Sequence, residues 1–255
     1  MSGRPTKLES RRLTGARRRA YPPPMADVLV FGAHPDDAEF GMGASLVAFA
    51  RSGAAVALCV LTRGEAGTYG TPVQREREMR AAAAKLGASI EVLDFQDCRV
   101  EDTVPSRMKV AEVIRRHRPR LVFAPYHTNP ASHHDGMAHP DHTATGAIVR
   151  AAARFAKFRG LVGIAGEPWD AAHLLYYMVP RTMRPTFYHD VTAHMDEWEA
   201  IARCHESQMQ LRGGTIMERL RAHRQGYGAA VGVPYAEGFW CEDPLPFDLD
   251  WFLRR

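Results

Sequence analysis

The chain has 255 residues, 45% of them hydrophobic and 9% aromatic, enough to bury a sizeable core and unlike the charge-rich, apolar-poor make-up of disorder. One folded domain is expected. No run approaches the roughly 20 uncharged apolar residues that cross a bilayer, and the first residues lack the apolar core of a secretory signal, so a cytoplasmic protein with no membrane partner is expected.

The formal charge of +4 is unevenly placed. Residues 1–24 hold seven Lys or Arg and one acid, Glu9, leaving 26 basic against 28 acidic residues from Met25 onward. The segment shows no hydrophobic periodicity and ends in Tyr21-Pro22-Pro23-Pro24, so it reads as a disordered or stiff extension ahead of a folded body spanning 25–255. An upstream extension before Met25 is preferred over a targeting peptide or a nucleic-acid arm, and no nucleic-acid partner is expected. Cys59, Cys98, Cys204 and Cys241 lack the paired spacing of a thiolate zinc site or a redox dithiol and read as reduced thiols.

From Asp27 short β-branched runs alternate with helix-like segments, the pattern of repeated βαβ units with a parallel sheet. Val28 to Phe31 has the length of a buried strand; helical residues from about Gly43 to Arg51 end at Gly53, and Val56 to Leu61 is a second strand. After a glycine-containing loop, Gln74 to Leu86 reads as a helix, followed by a strand at 90–95, a helix at 106–117 and a strand at 121–125. A long loop from Tyr126 to Pro140 leads into a helix starting near His142 and running to about Lys157. Strands are expected at 174–178 and 187–191, and helices at 196–210 and 216–225.

In such open sheets ligands bind beyond the carboxyl ends of the strands, where the winding reverses, and both histidine-rich segments fall at such ends. The first sets His34, Asp36, Asp37 and Glu39 within six positions, in a turn with Gly32 and Pro35. So many ionisable groups at a strand end are poor packing material unless a cation balances them. The second, His139-Pro140-Asp141-His142, supplies further imidazoles. Two histidines and a carboxylate with an open fourth position form a catalytic zinc set, in which bound water has a pKa of about 7. Spacing leaves open which of Asp36, Asp37 and Glu39 binds metal. Gly41-Met42-Gly43 lacks the rest of a dinucleotide fingerprint, since Leu46 holds the third glycine position.

AHPDDAEFG followed by HPDH resembles the LmbE-like, or PIG-L-type, N-acetylglucosaminide deacetylases, across about Asp27 to Phe239. The resemblance implies a Rossmann-like α/β fold with helices on both faces of the sheet, one zinc ion per chain, and a trimer or hexamer. LTRGEAGTYGT (61–71), RFAKFRGL (154–161) and GVPYAEGF (232–239) resemble more closely the bacillithiol-pathway enzymes that act on N-acetylglucosaminyl malate. By resemblance, His34, Asp37 and His142 are the metal ligands and Asp36 is the general base. His139 stabilises the oxyanion or protonates the leaving amine, Asp141 orients it, and Arg75 binds the sugar. Glu65 is a further candidate to line the substrate pocket. The loop from Asn129 to Met137 is longer than in relatives, and the sequence leaves open whether its His133 or His134 enters the site or the loop is simply solvated.

The activity implied is hydrolysis of an acetamide by metal-activated water, giving acetate and a free amino sugar. The alternatives are a deacetylase for another conjugate, such as an inositol glycoside, chitobiose, a thiol conjugate or a glycosylated natural product, and a non-catalytic zinc or nucleic-acid binding module.

Overall fold

Val28–Gly32 (β1) is apolar on both faces and fully buried, as a central parallel strand must be, and its alternate side chains enter two separate cores. Val28 and Val30 face one; Leu29 and Phe31 face the other. The computed structural model describes residues 25–130 and 135–244, so the basic segment 1–24 and the pair His133 and His134 lie outside the described residues.

Five parallel strands, β1, Val56–Val60 (β2), Ser89–Val92 (β3), Leu121–Pro125 (β4) and His173–Tyr177 (β5), lie in the order β3-β2-β1-β4-β5. Ala236–Cys241 (β7) runs antiparallel beside β5, and Phe187–Asp190 (β6) pairs antiparallel on its far side. The helices Asp37–Arg51 (α1), Pro72–Leu86 (α2), Met195–Ala202 (α5) and Ile216–Val231 (α6) contribute to the core that contains Val28 and Val30. Val104–His117 (α3) and Pro140–Lys157 (α4) cover the opposite face. The expected single α/β domain with a mostly parallel sheet is what forms. No described helix is long and apolar enough to cross a membrane.

Several elements differ from the sequence reading: α6 runs on to Val231, six residues past its expected end, and β3 stops at Val92. GVPYAEGF contains β7, which the sequence reading left without a strand, and the helix expected over 196–210 stops at Ala202, giving way to 3-10 turns at Glu206–Gly214. α1 begins six residues before Gly43, because Asp37 itself opens the helix, with a kink at Met42.

Chain direction places the site. β1 returns through α1 to β2 on one side, while β4 lies on the other, so the winding reverses between β1 and β4. The loops leaving the carboxyl ends of these neighbours diverge there and leave a crevice.

Candidate active site

The loop after β1 is fixed from two sides. Leu61 and Thr62 continue the β2 pairing by donating to Gly32 O and Ala33 O at 2.9 Å each. The Asp37 carboxylate, at the start of α1, accepts the backbone N–H groups of Ala33 and His34 at 2.7 and 2.9 Å. Between them Asp36 adopts φ 104°, a left-handed backbone that a non-glycine residue holds only when its surroundings enforce it.

The segment after β4 is fixed by a helix start. Pro140 occupies the first helical position, where its missing N–H leaves no bond unmade, and His139 caps α4 by accepting the Asp141 backbone N–H on Nδ1 at 3.2 Å. His142 therefore projects from the first turn of α4.

Here the two segments meet. His34 Nδ1 lies 3.2 Å from His142 Nε2, which is 3.0 Å from Asp37 Oδ1; His34 Nδ1 is 3.7 Å from Asp37 Oδ2. All three residues are at least nine-tenths buried. Two imidazole nitrogens facing each other across a carboxylate form the donor set of a divalent cation, and at separations near 3 Å one ion can be reached by all three. The His139 ring stands edge-on to His34, with centroids 4.8 Å apart.

The charges of these groups follow from their neighbours. Burial alone would depress His34, yet its hydrogen bonds to Asp141, Asp37 and Asp97 hold its pKa well above the ordinary value. Burial works against ionised Asp37 too, but His142 and His34 keep it well below the carboxylate range. Asp36 goes the other way: burial raises it to about 6, despite the opposing pull of the Arg75 guanidinium. His139 is lowered, first by burial and then by its imidazole neighbours, which favours its neutral form.

Three of the expected residues, Arg75 and Asp141 with roles implied by resemblance and Glu65 as a candidate to line the pocket, have their side chains engaged elsewhere. Arg75 is 5% exposed, and its guanidinium is engaged within the protein: Nη1 donates to Gly64 O at 3.2 Å, and Nη2 donates to Pro35 O at 2.7 Å and to Asp36 Oδ2 at 3.3 Å. A Cβ on Gly64, where φ is +66°, would lie 1.9 Å from Nη1, so the loop after β2 is wrapped around this side chain. Glu65 uses its carboxylate on loop backbone, accepting from Arg63 N–H at 3.2 Å and Asp97 N–H at 2.8 Å. The Asp141 carboxylate is turned to Cys98 N–H at 2.7 Å and to His34 Nε2 at 3.3 Å, and it meets His139 only through its own backbone N–H.

Two residues that the sequence reading passed over belong to this neighbourhood. Asp97, in the loop after β3, sets Oδ1 3.0 Å from His34 Nε2. His205, 1% exposed, lies 3.5 Å from Glu39 through Nε2, under α1. Neither carries a local motif; Asp97 could be sought only as a lone carboxylate at another strand end on the same side of the sheet.

Residues 29–153 match the protein family described as PIG-L, GlcNAc-PI de-N-acetylase. Over 224 residues the chain is 31% identical to the diacetylchitobiose deacetylase of Thermococcus kodakarensis, covering 83% of this chain and 81% of that protein. It is 24% identical over 242 residues to a probable N-acetyl-α-D-glucosaminyl L-malate deacetylase of Bacillus anthracis, covering 89% and 92%. Among solved structures, a conserved protein from Thermus thermophilus superposes with a TM-score of 0.78 at 36% identity, covering 88% of this chain and 98% of that one. The chain belongs to the PIG-L, or LmbE-like, family of metal-dependent N-acetyl deacetylases, hydrolases of the amide bond.

Proposed function

We propose that this protein hydrolyses the acetamide of an N-acetylglucosaminyl conjugate, with one zinc ion held by His34, Asp37 and His142. The observation that carries the proposal is the convergence of His34 Nδ1, His142 Nε2 and the Asp37 carboxylate, described above. An ion bound there supplies Lewis acidity and lowers the pKa of its water. Asp36, next to the ligand Asp37, takes the proton from the attacking water as general base. With His139 Nδ1 accepting from Asp141 N–H, the neutral ring carries its proton on Nε2, the donor suited to a tetrahedral oxyanion and then to the departing amine. Asp141 supports the site from behind, on His34 and Cys98, in place of orienting the His139 ring.

For the aglycone, the higher identity to a chitobiose deacetylase favours a second amino sugar, and the engaged guanidinium of Arg75 favours a neutral group over a charged one. N-acetylglucosaminyl malate is the second reading, favoured by the 61–71 and 232–239 segments. Acetate release from N,N′-diacetylchitobiose, N-acetylglucosaminyl malate and an N-acetylglucosaminyl inositol, measured with zinc-loaded and chelator-treated protein, tests both. Zinc-dependent turnover fastest on chitobiose is expected. Equal rates with and without metal would overturn the metal assignment, and turnover of malate alone would move the aglycone to the second reading.

A further inference from the structure

His34 uses both ring nitrogens. Nδ1 belongs to the proposed metal site, and Nε2 faces two carboxylates, Asp97 Oδ1 at 3.0 Å and Asp141 Oδ2 at 3.3 Å. The two are not equivalent. Asp141 Oδ2 already accepts the Cys98 backbone N–H at 2.7 Å, whereas Asp97 spends its other oxygen, Oδ2, on Ala66 N–H at 2.9 Å. Its Oδ1 is thus left for the imidazole. Asp97 is itself held from behind, since its backbone N–H donates to Glu65 Oε1 at 2.8 Å, and it is 9% exposed.

We propose that Asp97 is a positioning residue for His34: Asp97 Oδ1 accepts the Nε2–H, fixing the tautomer that turns the Nδ1 lone pair toward His142 and Asp37. A carboxylate on the far nitrogen of a ligating imidazole locks the ring and raises its basicity, and loss of such a partner lowers metal affinity about 10–100-fold. The inference rests on the reading of His34 as a metal ligand, and it gives the loop after β3 a part in metal retention. Glu65 then serves the same end at one remove, by holding the backbone of Asp97.

The test measures zinc affinity by competition with a chromophoric chelator, the ligand-field spectrum of the cobalt-substituted protein, and the melting temperature of the metal-free protein. The variants are Asp97→Ala, Asp97→Asn, Glu65→Ala and His34→Ala. Asp97→Ala and Asp97→Asn should bind zinc about 10–100-fold more weakly than wild type and alter the cobalt spectrum. The metal-free melting temperature of Asp97→Asn, whose amide oxygen can still accept the Ala66 N–H, should fall less than that of Asp97→Ala. Glu65→Ala, which loosens the same loop and leaves the carboxylate on His34, should lose much less affinity. Wild-type affinity in both Asp97 variants overturns the proposal, as does an equal loss in Glu65→Ala, which would trace the effect to loop integrity. Two zinc ions per wild-type chain would also overturn it, because Asp97 and Asp141 would then be ligands themselves. Full zinc retention in His34→Ala would remove His34 from the ligand set, a separate failure that takes the proposal with it.

Discussion

Asp36 and Asp37 are adjacent and both buried, yet they are driven apart: burial pushes Asp36 up to about 6, while His142 and His34 hold Asp37 well below the carboxylate range and ionised. Two carboxyl groups separated in this way are suited to ligand and base respectively. Asp36→Asn should therefore keep its zinc, by metal analysis, and lose about 10²–10⁴ in kcat. His139→Ala should lower kcat by roughly 10²–10³ with KM little changed, because the charge it answers exists only in the transition state. Arg75 differs from what its family role implies. Since its guanidinium grips Pro35 O and Asp36, Arg75→Ala should act mainly on kcat, and by the same factor for an anionic and a neutral aglycone, measured by steady-state kinetics on N-acetylglucosaminyl malate and diacetylchitobiose. A penalty confined to KM for the malate conjugate would return Arg75 to substrate binding.

At the scale of elements, α4 carries His142 into place only because it docks closely on the end of β4. Gly146, one turn beyond His142 on the same helix face, approaches that strand so closely that a Cβ would sit 2.3 Å from Pro125 O and 2.8 Å from the backbone nitrogen of His127. These neighbours are backbone atoms and cannot rotate away. Gly146→Ala should push α4 outward, destabilising the protein by about 1–3 kcal/mol and weakening zinc binding together, checked by denaturation and chelator competition. The elements also show what could be read in advance. His34, Asp37, His139 and His142 lie in contiguous segments whose strand, turn and helix start are written locally, by the apolar run of β1 and by Pro140 at a helix N-terminus. Asp97 and His205 reach the site only through strand order and helix packing, which no local pattern encodes. The Arg75 contacts were hidden for the same reason, since Gly64 and Pro35 close around it from two different loops. β7 escaped because AEGFW contains a glycine and a buried carboxylate, an unusual strand composition that only its partners explain.

For the whole molecule, acid stability bears on α6. Burial, with Arg224 and Arg181 nearby, depresses His223 to about 4, so the folded state holds it neutral where the unfolded chain would protonate it. The sign follows from proton linkage: His223 disfavours no folded chains above the unfolded pKa of about 6.5, and stability is lost as pH falls from there toward 4, by on the order of 2–3 kcal/mol. His223→Phe, which cannot titrate, should flatten the fall of melting temperature between those limits. An unchanged slope would place the acid sensitivity elsewhere.

The buried carboxylate of β7 joins the two ends of the described chain. Glu237 accepts the N–H groups of Ala44 and Ser45 in α1 at 3.1 and 2.8 Å and the Arg224 Nε–H at 2.8 Å. β7 also supplies the strand pairing of β6. During synthesis from the amino end, the motif of β1 and α1 leaves the ribosome early, yet the Glu237 carboxylate that accepts two of its N–H groups emerges about two hundred residues later. A nascent chain that ends before Ala236 would already contain every proposed zinc ligand, with α1 lacking its bonds to Glu237 and Arg224 lacking its carboxylate partner. The proposed ligands are thus all made before β7, the strand whose carboxylate fastens the helix that Asp37 opens.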